Sequence, residues 1–591
     1  MGNKLELTWI GKEYQPKLEP RILIEDPAKS YGDKNSENML IFGDNLLALK
    51  ALEQDFAGKI KCIYIDPPYN TGNAFEHYDD NLEHSIWLNL MKPRLEILHK
   101  LLSKDGFLCC HIDDSEGHYL KVLLDEIFGR NNYLATFYIR VRYPDKTLKS
   151  DMDFHKEIEQ IHIYRKEFGA KPNLAAKKID LDSFCYYIEE KGEGEEIVLG
   201  GKRVVIFKEG QYEIKKGEGS EYGLKEIWAS GTILDGNSSG RFFRDFLAGR
   251  YKIDGYGVLY KVYGIGDDRF DYRYFTGPKR IGATKGKYYQ GVPLDKIGKQ
   301  EIVRYLPINN FYDLAGSFGN CRTEGGVDFR SGKKPEILLE IILRHFSNEN
   351  DWVLDSFLGS GTTAAVAHKM RRKWIGVELG EHCHTHCLPR LKAVVDGTDQ
   401  GGISKAVNWK GGGGFKYYYL APSLLNRDQY GNWVISKEYN PQMLAAAMAK
   451  HEGFRYAPDE KCYWKQGRST EKDFIFTTTN FVTVEFIDAI HEEMLPDESL
   501  LICCRSFQEA CTDRYPNITV KKIPNMLLGR CEFGKEDYSL NIVNIPLGQG
   551  EFPVEPDQEP EDPAMDDNDE MGEEEQLTLF DEEVENEPDC Q

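Results

Sequence analysis

The 591-residue chain contains no uncharged apolar window long enough to span a bilayer, and its opening, MGNKLELTWIGKEYQPKLEP, lacks the apolar core of a secretion signal. A soluble protein with no membrane partner is expected. Disulfide chemistry is also poorly provided for. The thirteen cysteines are scattered, odd in number and adjacent at Cys109-Cys110 and Cys503-Cys504, unlike the spaced framework of a secreted scaffold. A reducing cytoplasm fits better. Positive charge is missing from the C-terminus, where Glu555 to Gln591 holds eighteen Asp and Glu and no Lys or Arg. Such a segment repels itself and has too little apolar area to fold alone, so a disordered tail is expected, with Leu577, Leu579 and Phe580 as a small sticky motif. The net charge of −23 speaks against a phosphate-rich partner, but without those eighteen acids the chain carries only −5. Asn131 to Arg330, with 33 basic against 29 acidic residues, is the large region best suited to face nucleic acid.

At 67.8 kDa and 41% hydrophobic, the chain has material for several cores. MLIFGD (39–44) and KIKCIYID (59–66) read as strands, and NLLALKALEQDF between them has helical spacing, giving a βαβ unit. A second helix (HSIWLNLMKPRLEILHKLL), a buried strand opened by Asp-Gly (DGFLCCHID) and a helix closed by Gly129 follow. After about residue 135 the alternation stops, and Gly, Lys, Tyr and Phe interleave as in an inserted, mostly β or irregular region. The α/β pattern resumes at Lys333 with KPEILLEIILRHF, WVLDSF, TTAAVAHKMRR and WIGVEL. The expected fold class is α/β: a doubly wound, mostly parallel, Rossmann-like sheet with an inserted domain and a C-terminal α+β segment.

Two stretches carry chemistry. In DSFLGSGTTAAV (355–366), Gly359 and Gly361 allow a tight turn and close approach to a ligand, Thr362 or Thr363 caps a helix whose exposed N–H groups favour an anion, and Glu378 ends the next strand where an acid would hold ribose hydroxyls. The spacing Gly359, Gly361, Ala364 also satisfies a dinucleotide pattern, so a nicotinamide cofactor competes, as does a turn needed only for strand-to-helix packing. A nucleotide-triphosphate loop is excluded, because no Lys follows the glycines. In IYIDPPYNTG (63–72), two prolines without N–H groups stop a strand and present Asp66 and Tyr69 at its end. A carboxylate, a carbonyl in a proline-set turn and an aromatic face can hold a planar heterocycle with an exocyclic amine. EHCHTHC (381–387) has two histidines four apart, but no second ligand cluster accompanies it and no metal is expected.

DPPY preceding FLGSG in one α/β pattern resembles the amino (N6-adenine and N4-cytosine) DNA methyltransferases. LIFGDNLLALKAL, IYIDPPYNTGNAFEHYDD, WLNLMKPRLEILHKLLSKDGFLCCHIDDSE, GGVDFRSGKKPEILLEIILRHF and VLDSFLGSGTTAAVAHKM are similar to the modification subunits of type III restriction systems. The likeness covers residues 38–138 and 325–400. It implies S-adenosylmethionine as cofactor, with Phe357, Gly359 and Gly361 around its methionine part, Glu378 on its ribose, Asp44 on its adenine, Lys334 and Pro335 in the segment flanking its carboxylate, and Asp355 and Thr362 also among the cofactor-binding residues. It implies that Asp66, Pro67, Pro68 and Tyr69 take the target base, with Asp at the head of the motif favouring adenine. The domains would be an N-terminal arm (1–37), a catalytic half (38–138), an inserted target-recognition domain (139–320), a cofactor-binding half (321–400), a C-terminal domain (401–554) and the tail (555–591). The implied partners are double-stranded DNA, a second copy of the chain and a separate ATP-dependent helicase-nuclease subunit. The competing readings are a solitary methyltransferase and a catalytically silent DNA-recognition module.

Overall fold

The computed structural model describes residues 6–69, 84–144, 154–178, 181–229, 238–283, 285–294, 303–329 and 332–535. The acidic stretch 555–591 lies outside them. The central sheet contains β1 (Leu23–Glu25), β2 (Met39–Phe42), β3 (Ile60–Ile65), β4 (Leu102–Ile112), β5 (Tyr133–Arg140), β6 (Ile158–Arg165), β7 (Phe311–Asp313), β8 (Trp352–Asp355), β9 (Lys373–Glu378) and β10 (Gly414–Leu420). Their spatial order is β1-β10-β2-β9-β8-β3-β4-β6-β5-β7, and the short strand Tyr31–Gly32 also pairs with β10. From β10 to β4 every neighbouring pair is parallel, whereas β6 runs antiparallel to β4 and β5.

Alternation along the strands builds two cores, one on each face. Cys62, Tyr64 and Cys109 point to the face covered by α4 (Glu336–Phe346), α5 (Thr362–Lys369) and α6 (Leu388–Asp396). Ile63, Ile65 and Cys110 point to the face covered by α1 (Asn45–Phe56), α2 (His84–Leu101) and α3 (Gly117–Leu124). The adjacent Cys109 and Cys110 therefore fill opposite cores, which is why their pairing has no disulfide meaning.

The region 139–320 contains a six-stranded antiparallel sheet formed by residues 195–290, around a core that includes Phe242, Phe243, Leu247 and Phe275. Its two ends behave differently from its middle: β6 and β7 belong to the central sheet. Likewise β1 comes from the expected N-terminal arm, and β10 from the segment expected to start the C-terminal domain. Composition along the chain does not report such long-range pairing. Farther on, Asp473–Val482, Ser499–Phe507 and Ile518–Lys522 are parallel, with helix Val484–Glu493 crossing over between the first two.

Candidate active site

Strand β3 ends at Ile65, and the two prolines that follow turn Asp66 and Tyr69 out at the C-terminal edge of the sheet. The turn is pinned from the side by Trp87, a fully buried residue of α2 whose Nε1–H donates to the Pro68 carbonyl at 2.7 Å. Among the described residues no donor reaches the Pro67 carbonyl. The Tyr69 hydroxyl donates to Asp66 Oδ1 at 2.8 Å and lies 3.1 Å from Glu159 Oε2. The Lys334 ammonium sits 2.9 Å from Asp66 Oδ2, 3.7 Å from Glu159 Oε2 and 4.9 Å from the centre of the Tyr69 ring.

Behind this group stand two buried side chains. His111 Nε2 lies 2.8 Å from Glu159 Oε2, and its Nδ1 lies 2.8 Å from the Tyr64 hydroxyl. Burial alone would push the Glu159 carboxyl up, but Lys334 and His111 outweigh it and bring it to about 2. Burial and the charges of Asp66 and Glu159 push the Tyr69 hydroxyl well above the usual range, so it stays a neutral donor. Burial works against the Lys334 ammonium, yet the two carboxylates raise it.

The glycine turn follows β8. Gly359 and Gly361 adopt φ of +57° and +81°, the left-handed region that favours glycine. A Cβ at Gly359 would meet no atom within 4 Å, whereas one at Gly361 would lie 3.4 Å from the Cys387 Cα, so the first glycine faces open space and the second packs against the protein. The Gly359 N–H donates to Glu378 Oε2 at 2.7 Å, and Glu378 Oε1 accepts from the N–H groups of Leu379 (2.9 Å) and Gly380 (3.2 Å). Asp355 accepts from the Phe357 N–H at 2.9 Å and the Thr363 hydroxyl at 2.6 Å. Burial nevertheless pushes its carboxyl up to about 7, and Asp66 and Glu378 push the same way. Thr362 Oγ1 accepts from Arg390 at 2.7 Å, tying the helix start to the interior.

Two elements 290 residues apart thus share one edge, because β3 and β8 are parallel neighbours with Cys62 opposite Val353 and Ile63 opposite Leu354. The DNA methylase family model matches residues 60–387, the stretch that carries both elements. The chain belongs to the DNA methylase family. It is 35% identical over 434 residues to the Probable type III restriction-modification enzyme HindVI Mod subunit of Haemophilus influenzae, covering 66% of this chain and 54% of that one. It is 29% identical over 418 residues to the type III restriction-modification enzyme EcoPI Mod subunit of Escherichia phage P1, covering 61% and 60%. The chain spans just over half the length of these relatives. A solved PvuII DNA methyltransferase (cytosine-N4-specific) aligns at 14% identity over 63% of this chain and 91% of its own, with a TM-score of 0.30, too low to bear on function.

Within the chain the expected site residues fall into three groups. Asp66, Pro67, Pro68, Tyr69 and Lys334 come together at the end of β3, with Pro335 leading into α4. Asp355, Phe357, Gly359, Gly361, Thr362 and Glu378 form or support the glycine turn. Asp44 stands apart: it caps α1 through the Leu47 N–H at 2.9 Å, lies 3.4 Å from Arg94 and is 1% exposed, so its carboxylate is committed within the protein. Lys334, expected beside the cofactor's carboxylate, instead meets Asp66. Glu159, His111, Tyr64 and Trp87 were not anticipated. Tyr64 alone had a local signal, two residues before Asp66 and hence on the same strand face. In EHCHTHC the side chains diverge: His382 Nε2 lies 2.9 Å from Glu378, His386 meets the Asp328 carbonyl, His384 packs on Phe42, and Cys383 and Cys387 are buried.

Proposed function

We propose that the chain is an S-adenosylmethionine-dependent, site-specific DNA adenine-N6 methyltransferase, the modification and recognition subunit of a type III restriction-modification system. The observation that carries this reading is the shared edge of β3 and β8, which brings the Asp66–Tyr69 turn beside a glycine turn with room for a ligand. Gly359 leaves open space where a Cβ would sit, and two buried acids, Asp355 and Glu378, stand beside it, a donor set that fits a cationic, ribose-bearing cofactor. In this reading Phe357, Gly359 and Gly361 hold the methionine part and Glu378 the ribose, while Asp355 keeps the turn in shape. Asp44 is left out. When bound, S-adenosylmethionine supplies an electrophilic methyl group.

The protein's task is then to make a poor nucleophile competent. The adenine N6 lone pair is delocalised into the ring. Asp66 and the Pro67 carbonyl accept its two N–H groups, drawing the nitrogen toward tetrahedral geometry and localising the pair. Tyr69 offers its ring face to the extruded base, and extrusion costs a few kcal/mol. No cysteine is required as a nucleophile. Asp at the head of the motif supports adenine over cytosine, and the Mod-subunit relatives support the type III assignment. No helix among the described residues is long and apolar enough to cross a membrane. A homodimer, a helicase-nuclease partner and residence in the cytoplasm complete the proposal, as does sequence recognition by the six-stranded sheet region.

The test is methyl transfer from labelled cofactor to duplex DNA. Label is expected in N6-methyladenine with the native chain and absent with Asp66→Ala. Labelled cytosine would overturn the base assignment. No transfer, together with stabilisation by NAD and none by S-adenosylmethionine, would overturn the reading as a whole.

A further inference from the structure

We infer that Glu159 is a positioning residue that takes over the Lys334 ammonium and holds Tyr69 when the substrate amine claims the Asp66 carboxylate. The inference rests on the methyltransferase reading. In the structure both oxygens of Asp66 already face a donor, the Tyr69 hydroxyl on Oδ1 and Lys334 on Oδ2. An incoming N–H must therefore compete with the ammonium for the same oxygen.

Displacing Lys334 alone would be costly, since its side chain is only 8% exposed and a buried ammonium without a counter-ion is strongly disfavoured. Glu159 removes that cost. Its Oε2 already lies 3.7 Å from the ammonium, so the handover is a shift of the lysine end and not a new desolvation. Lys334 and His111 keep Glu159 ionised, and Tyr64 steadies His111 in turn. Glu159 also keeps a second acceptor near the Tyr69 hydroxyl as the ring meets a base.

The topology explains why Glu159 is available. β6 is antiparallel to β4, with His111 opposite Ile161, so the beginning of β6 reaches the edge where the parallel strands end. Glu159, Ile161 and Ile163 share a strand face, that of α4, from whose N-terminal side Lys334 arrives.

The experiment measures kcat and KM for methylation by the native chain, Glu159→Gln, Glu159→Asp and the double variant Glu159→Gln with Lys334→Met. With Gln, the ammonium stays on Asp66, and kcat should fall at least about tenfold with KM for DNA changed by less than about threefold. Asp keeps the charge and should be faster than Gln, which carries the test should Gln fail to fold. In the double variant the ammonium that blocks Asp66 is gone, so its kcat should exceed that of Glu159→Gln, an epistasis that a merely structural role would not produce. Native activity with full kcat in Glu159→Gln, Asp no faster than Gln, or a double variant no faster than the single one would each overturn the inference alone. Absence of transfer by the native chain would overturn the methyltransferase reading and this inference with it.

Discussion

Replacing Glu336 by Gln tests how the Lys334 segment is held. Glu336 opens α4 just after Lys334 and Pro335, is fully buried, and accepts from Lys369 at 2.8 and 2.9 Å, from Arg390 at 2.9 Å and from the Ile403 N–H at 3.1 Å. Lys369 also meets Asp399 at 2.7 Å, so Glu336 and Asp399 face Lys369 and Arg390 inside the protein. Pro335 offers no side-chain cap to α4, and Glu324 Oε2 takes the Glu336 N–H instead, at 2.8 Å. Gln keeps the volume but removes one charge. Lys369 retains Asp399, whereas Arg390 keeps the Thr362 hydroxyl and the Ser360 carbonyl and loses its acid. Gly402 packs so closely on Glu336 that the pocket has little freedom to rearrange. Breaking a buried pair from one side costs about 3–5 kcal/mol, equivalent to amide exchange faster by roughly 10²–10⁴-fold in the unit that opens. Hydrogen exchange resolves this locally: the amides of α4 and α5 should accelerate together while those of the 473–522 sheet do not. Methylation should fall as well, because the helix start carrying Lys334 loosens. Acceleration of less than about fivefold would refute the reasoning, since it would mean the four charges contribute little beyond packing.

Trp87→Phe removes the donor to the Pro68 carbonyl. The cost should be about 1–3 kcal/mol for the orphaned acceptor, and a displaced turn should lower the single-turnover rate about 10²-fold while cofactor affinity stays near native. Gly359→Ala should fold, because a methyl there meets nothing and the left-handed φ costs only about 1 kcal/mol, yet calorimetric affinity for S-adenosylmethionine should drop at least about tenfold. Unchanged affinity would show that the open side of the turn does not face the cofactor. Asp355 carries a carboxyl raised from 3.8 to about 7. Between those values the folded protein keeps a proton that the unfolded chain has lost, so stability falls as pH rises from about 4 to about 7, by up to about 4 kcal/mol. Thermal melts from pH 5 to pH 8 should show this slope in the native chain and a flatter one in Asp355→Asn.

Both chemical turns were legible in the sequence because each is a local event. Prolines end β3 at Asp66, and two glycines bend the chain between β8 and α5. The helices and parallel strands around them read clearly from periodicity, since strands buried on both faces are continuous apolar runs. That β3 and β8 lie side by side was available only through resemblance, because nothing local encodes a pairing across 290 residues. Glu159 illustrates the same limit. It sits ninety residues from Tyr69 in a strand of ordinary alternation, and only the antiparallel register of β4 and β6 brings it to the edge that carries Asp66. Asp44, placed at the cofactor's adenine through the resemblance alone, also has a local role that its position directly before α1 could have announced: it caps that helix. The central-sheet strands at the ends of the 139–320 stretch were hidden for a related reason, as composition describes what a segment is made of and not what it pairs with.

The most direct measurement is single-molecule sequencing of DNA from cells that express the chain, with Asp66→Ala as control. An adenine in one short asymmetric sequence, modified at N6 by the native chain and unmodified in the control, is the predicted result. Modification that persists without the Asp66 carboxylate would contradict the account.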